Sequence, residues 1–261
     1  MSAAAEPLRQ RILEERNGAV LIVTIDCPSR KNAIAPVLRT AMEEVMERAH
    51  GDDTIRAIVV TGAEGTFCAG GDISSMDIDS TLAGRERMRR THKLVRLMAK
   101  GGKPVVAAVE GWAAGAGMAV ACACDVIVAA EDARFTAGFH KIGLMSDMGL
   151  PHFLPARVGI GRARRILFFH EVIAAPEAER IGLVDYIAPP GKALEAALEK
   201  ARFLAAEAPG PIAFTKQIFA DGLDEALAQE QTYQAALFTT EDFKEGRAAF
   251  FAKRKPNFTG S

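Results

Sequence analysis

Two short runs of β-branched residues, each stopped by a glycine-rich turn, restrict the folds open to this chain more than any other feature. Ile58-Val59-Val60-Thr61 leads into Gly65-Thr66-Phe67-Cys68-Ala69-Gly70-Gly71-Asp72-Ile73, and Val105-Val106-Ala107-Ala108-Val109 leads into Gly111-Trp112-Ala113-Ala114-Gly115-Ala116-Gly117-Met118. Each reads as a strand that ends in bare backbone. Small residues let a ligand approach main-chain N–H groups, and two such turns side by side can aim two donors at one oxyanion. That arrangement points to acyl chemistry. Taken singly, each turn is also what an ordinary loop after a strand looks like. A nucleotide-phosphate loop fits less well, because Gly115-Ala116-Gly117 lacks the third glycine of GxGxxG and no GxxxxGK[ST] occurs.

The rest of the chain alternates strand and helix. Residues 19–26 read as a strand ended by the turn 27–32, and Val37, Leu38, Ala41, Val45, Met46 and Ala49 recur at helical spacing over 36–50. Strands are expected at 55–61, 105–109, 125–129 and 133–137, with a charged amphipathic helix over 85–100 and a small-residue helix over 116–123. Between the first turn and the charged helix, 74–81 is polar and expected to be mobile. From Ile160 onward helices dominate, with a last strand at 183–187 and helices over 192–208, 211–219, 223–238 and 241–251. Strand–helix–strand order predicts an α/β fold with crossover connections. The composition shift at Pro189-Pro190-Gly191 divides a core of residues 1–190 from a helical region of residues 191–261 that packs rather than swings free.

Composition narrows the partners. With 261 residues, 49% hydrophobic and 25% charged, the chain can bury a large core, and a net charge of −1 provides no basic footprint for nucleic acid or for a membrane surface. A small-molecule partner follows. The apolar run from Val105 to Ala130 is interrupted by Glu110 and Asp125 and is too rich in Gly and Ala for a membrane span. Met1–Glu6 has neither the basic nor the apolar segment of a signal peptide, so a cytoplasmic location is expected. The cysteines at 27, 68, 122 and 124 form no C-x-x-C pair and read as reduced, buried thiols rather than bridges or zinc ligands.

Two titratable residues are candidates for chemistry. His92 shares a helix face with Met88 and Val95, which fits either a site residue or a half-buried histidine bonded to a backbone carbonyl. Asp147 lies in the loop Gly143–Gly149 between apolar segments, where a perturbed pocket carboxylate and an N-cap for the following helix are equally good readings.

Several ordered motifs together resemble the enoyl-CoA hydratase/isomerase, or crotonase, family across nearly the whole chain. They are Pro28–Ala33 as P-x-x-x-N-A, Gly65–Ile73 around F-x-A-G-x-D-I, Lys103-Pro104-Val105, Gly111–Asp125, Ala175-Pro176-Glu177-Ala178 before Gly182-Leu183-Val184, and the segment from Glu245-Gly246 to Phe258. The resemblance implies a spiral of ββα units with a C-terminal helical region that mediates homotrimers or dimers of trimers. It implies an acyl-CoA thioester substrate whose carbonyl is held by the N–H groups of Ala69 and Ala116, with no metal and no cofactor beyond the coenzyme A of the substrate itself. The CoA part would lie along Ser29, Arg30 and Lys31 and along Ala69, Gly71, Asp72 and Ile73, and Phe250 and Lys253 would complete its adenosine-phosphate end.

The departures bear on the reaction. Hydratases of the family use two glutamates, and the matching positions here are Ala119 and Phe139, neither of which can move a proton. Asp147 matches the aspartate of family members with a G-L-x-x-D loop, which implies double-bond isomerisation with Asp147 as the shuttling acid/base. The alternatives are dehalogenase-like hydrolysis of an aryl-CoA through Asp147 and His92, with Phe139 where that branch carries tryptophan, simple hydration, and acyl-CoA binding without catalysis.

Overall fold

The computed structural model describes residues 9–261; the Met1–Glu6 stretch lies outside the described residues. Strands β1 (Arg11–Asn17), β2 (Val20–Asp26), β3 (Ala57–Gly62), β4 (Val105–Val109), β6 (Val126–Ala130) and β9 (Tyr186–Ala188) form one sheet in the order β1-β2-β3-β4-β6-β9. All neighbouring pairs are parallel except β1 with β2. A second sheet holds β5 (Trp112–Ala114), β7 (Arg134–Thr136) and β8 (Ile173–Ala174). The helices are α1 (Pro36–Gly51), α2 (Thr81–Lys100), α3 (Ala116–Cys122), α4 (Leu150–Val158), α5 (Ile160–Phe169), α6 (Ala175–Arg180), α7 (Ala193–Ala206), α8 (Pro209–Phe219), α9 (Leu223–Leu237) and α10 (Glu241–Phe251). The α/β arrangement with a helical C-terminal part is the one the sequence predicts.

The period-2 alternation of the parallel strands sorts their side chains onto two faces. Ile58 and Val60 of β3, with Val105, Ala107 and Val109 of β4, join the main core, whereas Ala57, Val59, Val106 and Ala108 face the other way. That second face is covered by α7, whose Ala197 and Ala201, four residues apart, are completely buried. Alanine at these positions lets the helix approach the sheet closely. An ion pair between buried Lys216 of α8 and exposed Asp125 then ties the next helix to the sheet, and Lys216 Nζ also donates to Met98 O (3.0 Å). Burial of that ammonium is tolerated because a carboxylate and a backbone carbonyl accept from it.

Three local differences from the sequence reading have simple causes. β1, hidden in what reads as a polar N-terminus, is a largely exposed edge strand whose charged residues show no apolar alternation. α2 begins at Thr81 rather than 85 because Ser80 caps it, its Oγ accepting from the Ala83 N–H (3.2 Å). The segment expected to be mobile starts as a tight turn, in which Asp72 accepts from the Ser74 N–H (3.1 Å) and Ser75 Oγ donates to Asp72 O (2.7 Å). The apolar run from Val105 to Ala130 is divided among β4, β5, α3 and β6, and among the described residues no helix is long and apolar enough to cross a membrane.

Candidate active site

The two glycine turns are stitched together by backbone. Cys68 N–H donates to Trp112 O (2.8 Å) and Ala114 N–H donates to Cys68 O (2.9 Å), so the first turn adds an extra rung beside β5. Contact is close enough to require glycine at the crossing. A Cβ on Gly117 would stand 2.3 Å from Cys68 O, and one on Gly70 would stand 3.2 Å from Ala114 O. Gly70 also has φ +122, and Gly115, which leads into α3, has φ +51. The expectation that the turns lie side by side therefore holds.

The donors they present differ by one residue from expectation. Ala69 N–H already donates to Lys31 O (2.9 Å), so it cannot serve a substrate oxygen as predicted from the sequence. Lys31 holds a left-handed φ of 49°, which turns its carbonyl toward Ala69. Gly71 N–H, two residues later, makes no hydrogen bond among the described residues. Ala116 is the first residue of α3, where an N–H has no partner within its own helix. Both Gly71 and Ala116 line one cavity, which is closed further by Ile34, Ile73, Met76, Met88, Phe139, Ile142 and Leu144.

Asp147 reaches the same cavity and is the only carboxylate among its lining residues. It does not cap α4: Gly149 occupies that position and no side chain caps the helix. Gln234 of α9 holds Asp147 instead, Nε2 donating to Oδ2 (3.0 Å) and to Met145 O (3.1 Å), while Gln234 Oε1 accepts from the Met145 N–H (3.2 Å). Burial pushes the Asp147 carboxyl up to about 7, and the charge of Glu230 adds to the effect, against the Gln234 hydrogen bond and the attraction of Arg87. A carboxyl so placed can exchange a proton near neutral pH.

His92 is not brought to Asp147. It is buried off the cavity with Nε2 2.6 Å from Glu230 Oε1, so neither a pocket role nor a bond to a backbone carbonyl describes it. The buried Glu230 carboxylate also accepts from the N–H groups of Met148 (2.8 Å) and Gly149 (2.9 Å). Glu230 and Gln234, four residues apart on α9, thus hold the Asp147 loop from behind. Sequence reading overlooked both, although their signal is visible: they continue the buried stripe Leu223, Leu227 with polar residues.

The proposed CoA contacts are mixed. Gly71 and Ile73 line the cavity, and Phe250 lies at its edge. Asp72 is already occupied, pairing with Arg30 and accepting from Ser74 Oγ (2.6 Å), so it shapes the turn and leaves no free carboxylate for a ligand. Ser29, Arg30 and Lys31 are exposed beside that turn. Next to the cavity, sharing Lys141 and Phe250 with it, a second opening is bordered by Lys253, Arg254 and Lys255. Of the matched glutamate positions, Phe139 lines the cavity and Ala119 is buried outside it. Burial pushes the Cys68 thiol up to about 12, which removes it as a nucleophile.

The scaffold is that of the crotonase fold. The enoyl-CoA hydratase/isomerase family model matches residues 15–261, and the chain belongs to that family. It is similar to 1,2-epoxyphenylacetyl-CoA isomerase of Escherichia coli, 34% identical over 257 residues that cover 95% of this chain and 98% of the relative. It is likewise similar to short-chain-enoyl-CoA hydratase of Clostridium acetobutylicum, 35% identical over 94% of this chain and 95% of that one. Among solved structures, an enoyl-CoA hydratase from Mycobacterium avium subsp. paratuberculosis superposes with a TM-score of 0.86 at 33% identity, covering 97% of this chain and 100% of the other.

Proposed function

We propose that the protein isomerises a double bond in an acyl-CoA thioester, with Asp147 moving the proton and the Gly71 and Ala116 N–H groups holding the thioester oxygen. The observation that supports this reading is one carboxylate lining the same cavity as two backbone donors that are unpaired among the described residues. The Asp147 carboxylate takes a proton from C2 of a 3-enoyl thioester, and the electron pair moves onto the carbonyl oxygen as a dienolate. Two N–H donors aimed at that oxygen stabilise the charge as it develops. Asp147, now protonated, returns the proton at C4, so the C3–C4 double bond becomes C2–C3 with no atom gained or lost. A carboxyl near 7 suits both halves of the transfer, since it neither holds nor releases its proton too firmly at neutral pH.

Hydration by two acids has no support from the cavity, which carries Phe139 and no glutamate. Nor has a dehalogenase-like route, because His92 is engaged by Glu230. The basic rim of Lys141, Lys253 and Lys255 supports a place for CoA phosphates at the second opening. Exposed aromatic and aliphatic residues on α5 and α8, including Phe168, Phe169, Phe214, Ile218 and Phe219, support self-association as a trimer or dimer of trimers.

The test is incubation with 2-enoyl-, 3-enoyl-, dienoyl- and aryl-CoA thioesters in deuterated water, followed by mass spectrometry. Isomerisation yields deuterium exchange with no water added. Addition of water, halide release, or saturable binding without any exchange would each replace this reading with hydration, dehalogenation or simple binding.

A further inference from the structure

The cavity is lined by two arginines, Arg39 and Arg87, that the isomerisation above does not use. Arg39 of α1 is almost completely buried, and Arg87 of α2 is half-buried; both line the cavity in which Met88, Ile142 and Leu144 are also found. Neither has all its donors filled among the described residues. Arg39 donates from Nη1 to Thr91 Oγ1 (3.1 Å) and forms a stretched, buried ion pair with Glu43 (Nε to Oε1 3.5 Å) whose two atoms make no hydrogen bond. Arg87 reaches only Ser75, donating to its carbonyl (3.1 Å) and, more weakly, to its hydroxyl (3.5 Å), and forms no salt bridge among the described residues.

Two like charges in a largely apolar cavity are costly. Burial lowers the proton affinity of both guanidinium groups; for Arg39 the attraction of Glu43 opposes this and Arg90 adds to it, and for Arg87 the charge of Arg39 adds to it while Asp147 and Asp72 oppose it. A buried cation left short of acceptors is ordinarily compensated by a partner, and the free space beside this pair is the ligand cavity itself. Their position favours the acyl group over the CoA phosphates. Arg87 lies close enough to be attracted by Asp147, whereas the lysine-rich opening is on the Phe250 side.

Resting on the assignment of this cavity to an acyl-CoA, we infer that Arg39 and Arg87 form a subsite for an anionic group on the acyl chain, and that the substrate is a thioester whose acyl end carries a second carboxylate. A planar carboxylate matches the paired donors of a guanidinium, and in a water-poor cavity such charge-assisted bonds are the strong ones. An unsubstituted alkyl end would leave Arg87 with no carboxylate in salt-bridge contact and would add no acceptor for the stretched Arg39–Glu43 pair. Arg39 and Arg87 are specificity residues here and take no part in the proton transfer.

The inference is tested with saturated ligands that need no turnover. Calorimetric binding of glutaryl- and adipoyl-CoA is compared with that of pentanoyl- and hexanoyl-CoA on the wild-type protein. The carboxylated member of each pair is expected to bind about tenfold more tightly or better, the range for a hydrogen bond to a charged group. In Arg87→Met the ratio within each pair falls to about one. Equal binding within the pairs, or a preference for the neutral chains, overturns the anionic subsite while leaving acyl-CoA binding intact. Failure of every thioester to bind overturns the acyl-CoA assignment and this inference with it. Should Arg87→Met fail to fold, the wild-type comparison decides alone.

Discussion

Replacing Asp147 by asparagine separates the chemistry of the cavity from the stability of the fold. Burial and Glu230 hold the Asp147 carboxyl at about 7 in the native protein, against 3.8 for the ordinary side chain. The folded state therefore holds this proton more tightly than the unfolded chain does. Its contribution to stability is complete below pH 3.8, declines as pH rises, and is lost once pH passes about 7. At ~1.4 kcal/mol for each tenfold difference in proton affinity, the ceiling on this loss is ~4 kcal/mol. Asp147 keeps one edge toward the cavity, where solvent eases the penalty, so a gain of ~2 kcal/mol is expected for Asp147→Asn at pH 8. Asparagine has the same shape, carries no charge, and can still accept from Gln234 Nε2. Urea unfolding at pH 8 and at pH 4 measures the effect: the variant is more stable at pH 8, and the advantage shrinks toward pH 4. Turnover of the true substrate falls by roughly 10³-fold because the amide cannot exchange the proton. An advantage that is absent at pH 8, or that persists unchanged in acid, refutes the account of the carboxyl, and undiminished turnover refutes its role.

Three further perturbations address the supporting parts. Ala116→Pro removes one N–H at the first helical position of α3, where proline is tolerated, so kcat should drop ~10²-fold or more with little change in urea midpoint. Glu230→Gln removes the negative charge that raises the Asp147 carboxyl, and the acid limb of the pH–rate profile should move to lower pH. The same change sets an amide NH₂ against one of the Met148 and Gly149 N–H groups, costing ~1–3 kcal/mol in denaturant unfolding. Gly117→Ala drives a methyl group into Cys68 O, 2.3 Å away, and should lower stability while parting the two turns; circular dichroism melts that match wild type would contradict the close crossing.

Much of the scaffold was legible because its signals are local. The continuous apolar runs of β2, β3 and β4, the stripe of α1, and the helical periods of the C-terminal part are all visible in sequence, and the glycines at 70, 115 and 117 mark where backbone crosses backbone. Edge strand β1 and three-residue β5 were not legible, since strands that are one-sided or very short owe their formation to the neighbour they pair with.

At the site, the residues of the chain alone determined that two bare turns follow two strands, that a loop acid stands at Asp147, and that glutamate is missing at Ala119 and Phe139. Tertiary structure decided which atoms are free to act. Lys31 uses the Ala69 N–H and leaves that of Gly71 open; Glu230 takes His92 away from the cavity; Gln234 fixes Asp147; Arg39 and Arg87, distant in sequence, meet beside it. The physical reason is that a donor or carboxylate is defined by its partner, and these partners lie tens to more than a hundred residues away, on helices whose relative placement no local pattern encodes.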